Sequence, residues 1–500
     1  MAISGRSVQQ LVEVAGGILV APETGKVEVA VVDVTHDSRQ AGNGILFVAI
    51  RGALVDGHAF VSGAVAAGSP AVCVDHPTGS TVMEIVVPNT RSALGVLAAS
   101  VHGDPSQTMK VIGVTGTNGK TTVTHYTESI ASSAGLSTGL IGTIHTRIGD
   151  EVVRSLHTTP EASDFQRLLA RMRDNGAEFV AAEVSSHALE LGRVAATTFA
   201  VAAFTNFSQD HLDFHGDMDS YRTAKLRLFD EYEVGIAVVN IDDEVGEEIA
   251  RIFHGSLLRV GADGEIRIGD MAPTARGTSF SLTTPWGSAE LTAPVVGSFN
   301  VDNAVLAAAC GLAAGLGFDD VVSGLQSLQG VPGRFEVVSH DDPVRVIVDY
   351  AHTPEGIVEA VAAARGLGGR RVIALIGAGG DRDQAKRPLM GSAVSHADLA
   401  IVTSDNPRSE DPAAIADAIV SGLDSSAESI VDLDRSSAIS KAINAAGDGD
   451  IVLILGRGHE PMQEIAGEMQ PFDDREVARE ALSRRRMSAD YAPGSGSMEQ

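Results

Sequence analysis

The residues with the clearest chemistry lie in positions 111–122, the run VIGVTGTNGKTT. Glycines at 116 and 119, set around Thr117 and Asn118, let backbone N–H groups turn inward, and the helix that must follow adds its positive end. Such a turn favours a polyphosphate. Lys120 supplies a point charge and Thr121 a hydroxyl suited to Mg²⁺, with Thr122 next in line. The run departs from G-x-x-x-x-G-K-[ST] because Val114 stands at the first glycine position, so the loop is a variant of that type. Glu183 ends a later apolar run; its carboxylate reads either as a helix cap or as a ligand that holds Mg²⁺ opposite Thr121. The stretch TNFSQDHLDFHG, 205–216, concentrates histidine and aspartate after another apolar run, which suits contact with metal or phosphate, His211 foremost. Lys225 sits in a helical pattern, YRTAKL, where spacing alone predicts a solvated side chain.

These residues need elements to hold them. Apolar runs at 139–144, 178–183, 201–205 and 235–240 read as strands, and the segments between them alternate with helical patterns. That order predicts parallel strands joined by crossover helices. Short strands near 266–268 and 278–283 read as an antiparallel insertion, followed by a helix over 300–316. Before the phosphate loop, strands at 27–34, 45–50, 71–74 and 84–87 with a helix over 58–67 predict a small α/β unit. Its clusters THDSR (35–39) and GALVDGH (52–58) suit an anionic ligand or a pair of capped turns. Beyond 333 the alternation resumes, with strands at 344–348, 371–376, 397–403 and 450–455. Each ends in a polar loop: DYAHTP, GAGGDR, DNPR and GRGHE. Ligands of open parallel sheets bind at the carboxyl ends of strands, so these four loops predict one crevice. Polar, proline-bearing turns at 102–110 and 330–333 mark the boundaries. The expected units are 1–103, 104–332 and 333–487, with 488–500 a disordered tail.

Five hundred residues at 44% hydrophobic content exceed one core. A formal net charge of −28 argues against nucleic acid and anionic membrane surfaces as partners. Cys73 and Cys310 sit in apolar runs without metal-ligand spacing, as buried free thiols would. The N-terminal residues lack a signal-peptide pattern, and the most apolar helix is too short to span a bilayer. A cytoplasmic monomer without membrane insertion is expected.

VTGTNGKTT, EVSSHAL, TNFSQDHLDFHGD with a following Y-x-x-x-K, GSFNVDNA, PGRFE, DYAHTP, GGDRDQAKRP, DNPR and GRGHE occur in this order across almost the whole chain. The ordered set resembles the Mur ligases, in the branch that adds meso-diaminopimelate to UDP-N-acetylmuramoyl-L-alanyl-D-glutamate. The resemblance implies an α/β chain of three domains: one for the UDP end, a central ATPase domain with a phosphate loop and mostly parallel sheet, and a C-terminal Rossmann-like domain that brings the amino acid. It implies ATP and Mg²⁺, an acyl phosphate formed on the D-Glu carboxylate, and its capture by an amine. By resemblance Gly116, Thr117, Asn118, Gly119, Lys120, Thr121 and Thr122 cradle phosphates. Thr121 and Glu183 hold one Mg²⁺, and His211 helps to hold a second. Lys225 matches a lysine that reacts with CO₂ to form a carbamate, which can face a metal ion. Asn300, Arg334, Asp349 and His352 match nucleotide-binding positions. Thr158, Thr159, Pro160, Ser186 and Arg193 match the muramoyl-dipeptide site, and Asp37, Ser38 and Arg39 the UDP region. Arg382, Asp405, Asn406, Arg408, Gly456 and Glu460 match the amino-acid pocket. There Arg408 suits the distal carboxylate of diaminopimelate and Glu460 its distal ammonium. Arg457 stands where relatives commonly carry lysine. Lysine or ornithine as the added amino acid, or a folylpolyglutamate synthase, is the neighbouring alternative. A switch that reads ATP without ligation would need neither the C-terminal crevice nor Lys225.

Overall fold

The computed structural model describes residues 5–22, 30–52, 55–274, 276–339 and 342–490, with side chains to 487. Residues 491–500 of the expected tail, the start of the 27–34 strand and part of the GALVDGH cluster lie outside them; residues 488–490, expected in the tail, instead continue the helix Asp474–Asp490. Lys110–Thr115 is the middle of the largest sheet, whose eight strands run in the order 151–154, 145–148, 138–141, 179–183, 110–115, 198–204, 233–240, 256–260. The six from Thr138–Ile141 to Ser256–Val260 are parallel. Phe179–Glu183 and Thr198–Phe204 therefore flank the phosphate-loop strand, with Glu183 opposite Val114 and Phe204 opposite Thr115. The three loops that follow these strands emerge side by side. Ile112 and Val114 pack toward helices Lys120–Ser133 and Ser298–Ala313, while Val111, Ala182 and Phe204 fill the other face. Burial on both faces explains why these strands read as continuous apolar runs.

The C-terminal sheet has six strands in the order 336–337, 345–349, 451–455, 372–376, 399–402, 429–431, all parallel except the first. Their carboxyl ends bring the four polar loops together. The N-terminal sheet has five strands, four of them parallel. Residues 267–293 form a separate three-stranded antiparallel sheet, as the sequence predicts.

Three details differ from the expectation. The 27–34 run is not one strand: Ala30–Val31 pairs with Arg6–Ser7 and Asp33–Thr35 joins the five-stranded sheet. The chain bulges between them, where the N–H groups of Val32 and Asp33 both reach the Gly44 carbonyl, at 2.8 and 3.4 Å. An antiparallel hairpin, His145–Ile148 with Glu151–Arg154, extends the parallel sheet at its edge. A second hairpin, Met462–Ile465 with Glu468–Pro471, turns through Ala466 and Gly467, both at positive φ. Among the described residues no helix is long and apolar enough to cross a membrane.

Candidate active site

The phosphate loop is held open by its glycines. Gly116 lies at φ 145°, and a Cβ there would sit 1.8 Å from Thr205 Oγ1; at Gly119, φ 81°, it would sit 2.4 Å from Asn303 Oδ1. Only glycine fits either position. Lys120 Nζ donates to the carbonyls of Gly116 and Thr117, both at 2.9 Å, so its ammonium spans the loop mouth. Thr121 Oγ1 donates to Glu183 Oε2 at 2.9 Å and accepts from Arg334 Nη2 at 2.9 Å. Thr143 N–H fixes the other oxygen of Glu183 at 2.7 Å. The Thr121–Glu183 pairing predicted from sequence is therefore a direct contact, and Thr122 lines the same cavity.

Lys225 reaches the same place from the helix Met218–Asp230. Far from being solvated, it is 1% exposed, with Nζ 4.3 Å from the centre of the Tyr221 ring. Burial first, then the nearby Lys120 charge, holds its pKa well below the lysine range. The helix buries one face, formed by Tyr221, Ala224, Leu228 and Phe229, and Lys225 falls within that stripe, so the apolar spacing on either side of it was the available signal. His211 sits at φ 57° and meets Asp210 at 3.5 Å; burial drives its pKa to about 2, so the imidazole is neutral and available as a ligand.

The C-terminal unit closes over this centre. Arg334 stacks on Tyr350 at 4.2 Å, and Asn118 Nδ2 donates to Thr353 Oγ1 at 3.2 Å. Asp210, 4% exposed, accepts from Lys386 at 3.0 Å and pairs with His352 at 3.2 Å. Asp349 is buried and accepts from the N–H groups of Phe335 and Ala351, at 2.6 and 2.7 Å; burial pushes its pKa up. Asn300 donates to the Val296 carbonyl at 2.9 Å and lines the cavity with Asn303.

A second cavity of about 800 Å³ runs from Thr158 and His211 to the C-terminal loops, where Arg382, Asp405, Asn406, Arg408, Gly456 and Glu460 line it. Arg408 Nη1 donates to the Gly380 carbonyl at 2.6 Å, and its backbone bridges to Ile465. Asn406 Nδ2 donates to Glu460 Oε2 at 2.9 Å; burial, then Asp405, raises the Glu460 pKa. This cavity shares Thr143, Thr158, Asp210, His211, Tyr350 and His352 with the cavity over the glycine-rich loop, so that loop lies at one end and a wall bearing Arg382, Arg408, Asp405 and Glu460 at the other.

Not every expected residue converges here. Ser186 lines the first cavity and its hydroxyl meets His215 Nε2 at 3.0 Å. Thr159 is fully buried and donates to the Glu183 carbonyl at 2.7 Å, so its side chain braces the strand end. Arg193 donates to the Thr159 carbonyl at 3.2 Å and pairs with Glu161 at 3.0 Å, one layer behind the cavity. Ser38 stands apart at the end of the N-terminal sheet, beside the Asp37–Arg39 pair at 2.8 Å. Asp210, Tyr221, Lys386 and Asn303 carry contacts that the sequence did not single out. Lys386 lay within the quoted GGDRDQAKRP motif, which was the available signal.

Four part-buried histidines make stability pH-dependent. His125, His187, His211 and His459 have pKa values lowered mainly by burial, to about 3, 4, 2 and 3. Unfolding lets each take a proton below about pH 6.5, so their contribution falls as pH drops through that value. Asp302 and Glu359 oppose this, since burial raises them to about 6 and 7 and unfolding releases their protons. Asp243, Asp349 and Glu460 act in the same sense as these two, and His145 and His215 in the sense of the four; the imidazoles set the sign, because their unfolded pKa near 6.5 lies inside the pH 7 to 5 interval. The Tm of ligand-free protein is expected to fall from pH 7 to pH 5, measured by scanning calorimetry at constant ionic strength.

Residues 114–311 match the Mur ligase middle domain, residues 333–458 the Mur ligase glutamate ligase domain, and residues 31–102 the Mur ligase family catalytic domain. A UDP-N-acetylmuramoyl-L-alanyl-D-glutamate–2,6-diaminopimelate ligase of Geobacillus kaustophilus is 44% identical over 466 residues, covering 91% of this chain and 95% of the relative. The chain belongs to the Mur ligases. An enzyme of the same name from Aquifex aeolicus is 43% identical over 450 residues, covering 90% and 93% of the two chains. A solved structure of a ligase of that name superposes with a TM-score of 0.69 at 31% identity, across 96% of this Mur ligase and 99% of the other chain.

Proposed function

We propose that this Mur ligase joins meso-diaminopimelate to UDP-N-acetylmuramoyl-L-alanyl-D-glutamate with hydrolysis of ATP to ADP and phosphate. The observation that carries the reading is the continuity of the two cavities: a phosphate loop at one end and a pocket bearing Arg408, Arg382 and Glu460 at the other. ATP would lie with its phosphates over Gly116–Thr122 and its nucleoside toward Asn300, Arg334, Asp349 and His352. The D-Glu carboxylate attacks the γ-phosphorus and ADP leaves. The amine of the incoming amino acid then adds to the acyl carbon, loses a proton and expels phosphate. The chain's own part is to hold two anions in line, which positioned cations accomplish. Lys120 and Arg334 supply positive charge, while Ser186 and Thr158 orient the dipeptide and Arg193 braces the Thr159 carbonyl behind them.

The donor set fits the expected ions. Thr121 and Glu183 offer hard oxygens at 2.9 Å from one another, as Mg²⁺ requires, and His211 offers a neutral imidazole nitrogen. Bound Mg²⁺ would neutralise charge developing on the transferring phosphoryl group. Lys225 has the low pKa that leaves an amine free to take up CO₂. Units bounded near 103 and 332 agree with sheets that share no strand. From the UDP-linked and ATP substrates we infer a cytoplasmic reaction, with the monomer as the acting form.

The test is phosphate release from ATP and UDP-muramoyl-dipeptide, with and without each amino acid. Release is expected to depend on meso-diaminopimelate; indifference to the amino acid would reject ligation. A preference for lysine would reject the assignment to Arg408. Arg408→Ala is expected to raise the KM for diaminopimelate by roughly 10- to 100-fold, from the loss of a charge-assisted contact of about 1.5–3 kcal/mol. ATP binding should stay near the wild-type value, and an unchanged KM would remove Arg408 from the pocket.

A further inference from the structure

We propose that His58, Asp75 and His76 form a separate cation site in the N-terminal unit, one that takes a borderline transition-metal ion of the zinc class. The strands Ile45–Val48 and Ala71–Val74 are adjacent and parallel, with Val48 opposite Cys73, so the loops after them leave the same sheet edge. The first loop closes on itself: Gly57 N–H donates to the Ile50 carbonyl at 2.8 Å, and a Cβ at Gly57 would lie 2.6 Å from that oxygen. This brings His58 over Asp75 and His76. The His58 and His76 rings stack with centroids 4.8 Å apart, and the ligand atoms of the three residues lie within 4.8 Å of one another.

The cluster is closed by hydrogen bonds that a cation would replace. His58 Nδ1–H donates to Asp56 Oδ1 at 2.6 Å, and the lone pair of Nε2 faces the Asp75 loop, whose backbone N–H it accepts. A carboxylate placed behind an imidazole in this way fixes the ligating tautomer. Nε2 accepts the Asp75 backbone N–H at 3.2 Å but also lies 3.2 Å from Asp75 Oδ1, another acceptor. His76 Nδ1 approaches the same oxygen at 2.5 Å. Two imidazole nitrogens and one carboxylate oxygen therefore converge around one point. Nitrogen-rich donor sets of this kind select zinc-class ions over Mg²⁺. The His58 side chain is 8% exposed and that of His76 55%, which leaves an entry path and room for water as the remaining ligands. Arg51 donates to both Asp75 oxygens, at 2.6 and 3.2 Å, so its guanidinium competes with the cation for the carboxylate.

The competition supplies a distinctive test. Chelator-stripped full-length protein is titrated with zinc chloride in excess Mg²⁺, by calorimetry, and with cobalt(II) followed by visible absorption. One equivalent is expected to bind. His76→Ala and His58→Gln should each weaken it by at least about 10-fold, the low end of what loss of even a supporting group causes. Arg51→Met should strengthen it, and Glu183→Gln should leave it unchanged. Because His76 is half-exposed, its variant should keep the wild-type Tm and remain informative if His58→Gln does not fold. No zinc binding by the wild type would overturn the proposal. So would unchanged binding in His76→Ala, loss of the zinc equivalent in Glu183→Gln, or weaker binding in Arg51→Met.

Discussion

Lys225→Ala is expected to lower turnover by about 10²- to 10³-fold, the scale on which one preorganised electrostatic group acts. Short carboxylic acids such as formate or acetate should restore part of it. The argument rests on where the structure keeps the amine. A lysine 1% exposed, over an aromatic face and with no carboxylate bonded to its Nζ among the described residues, is costly to hold as an ammonium. Burial and Lys120 both favour the neutral form. A neutral amine can add to CO₂ and release a proton, which exchanges a neutral group for an anion beside Lys120 and His211. Removing the side chain then removes an anion, and a small carboxylate diffusing into the vacated space can replace it. Phosphate release with saturating ATP, dipeptide and amino acid measures the loss, and a titration of formate measures the rescue. Full activity in Lys225→Ala, or a loss unresponsive to every small carboxylate, would reject the carbamate role.

Most of the parallel framework was legible because strands buried on both faces write themselves as apolar runs. Residues 71–74 and 372–376 needed little more than that. The hairpin at 145–154 was not, since its outer strand is exposed along its length and carries no apolar face to read. Ser7 and Gln10 form a capping box for Val8–Ala15, a local signal that was present and passed over. In the site, Thr121, Glu183 and His211 could be proposed because each follows a strand whose end must face the crevice. Lys225 and Thr159 show the opposite limit: one is a lysine held on the buried stripe of its helix with Tyr221, Ala224, Leu228 and Phe229, the other braces a strand where resemblance predicts substrate. Pairing between distant segments is a tertiary fact with no local signature. Asp210 is the clearest example, since its partners Lys386 and His352 lie 176 and 142 residues away.

Arg457→Met is expected to damage both stability and amino-acid recognition, more than the simple exchange of one cation for another at this position suggests. The side chain is fully buried, and its guanidinium donates to Asn406 Oδ1 at 2.8 Å and to the carbonyls of Met462 and Phe472 at 2.8 and 3.1 Å. Asn406 Oδ1 also accepts from Glu464 N–H at 2.9 Å. With that oxygen committed on the inner side, the amide must present Nδ2 to Glu460. Arg457 thus orients the pocket from behind without lining it. Its removal orphans two buried carbonyls and withdraws a charge 3.9 Å from the buried Asp474, which Arg435 still pairs at 2.7 Å, for a cost of about 3 kcal/mol. It also withdraws a positive charge from Glu460, whose pKa burial and Asp405 already raise and Arg457 holds down. A protonated Glu460 cannot pair with the distal ammonium of the amino acid. The KM for meso-diaminopimelate should therefore rise by about 10-fold or more at neutral pH, in line with a lost charged contact. The defect should shrink as pH rises and Glu460 ionises again, a trend that purely mechanical damage would not produce. Arg457→Lys keeps the charge but not the planar fork, so it should lose stability while leaving the pH profile near wild type. The decisive measurement is KM against pH for both variants, alongside Tm; a wild-type KM for Arg457→Met at every pH would show that Asn406 and Glu460 are placed without it.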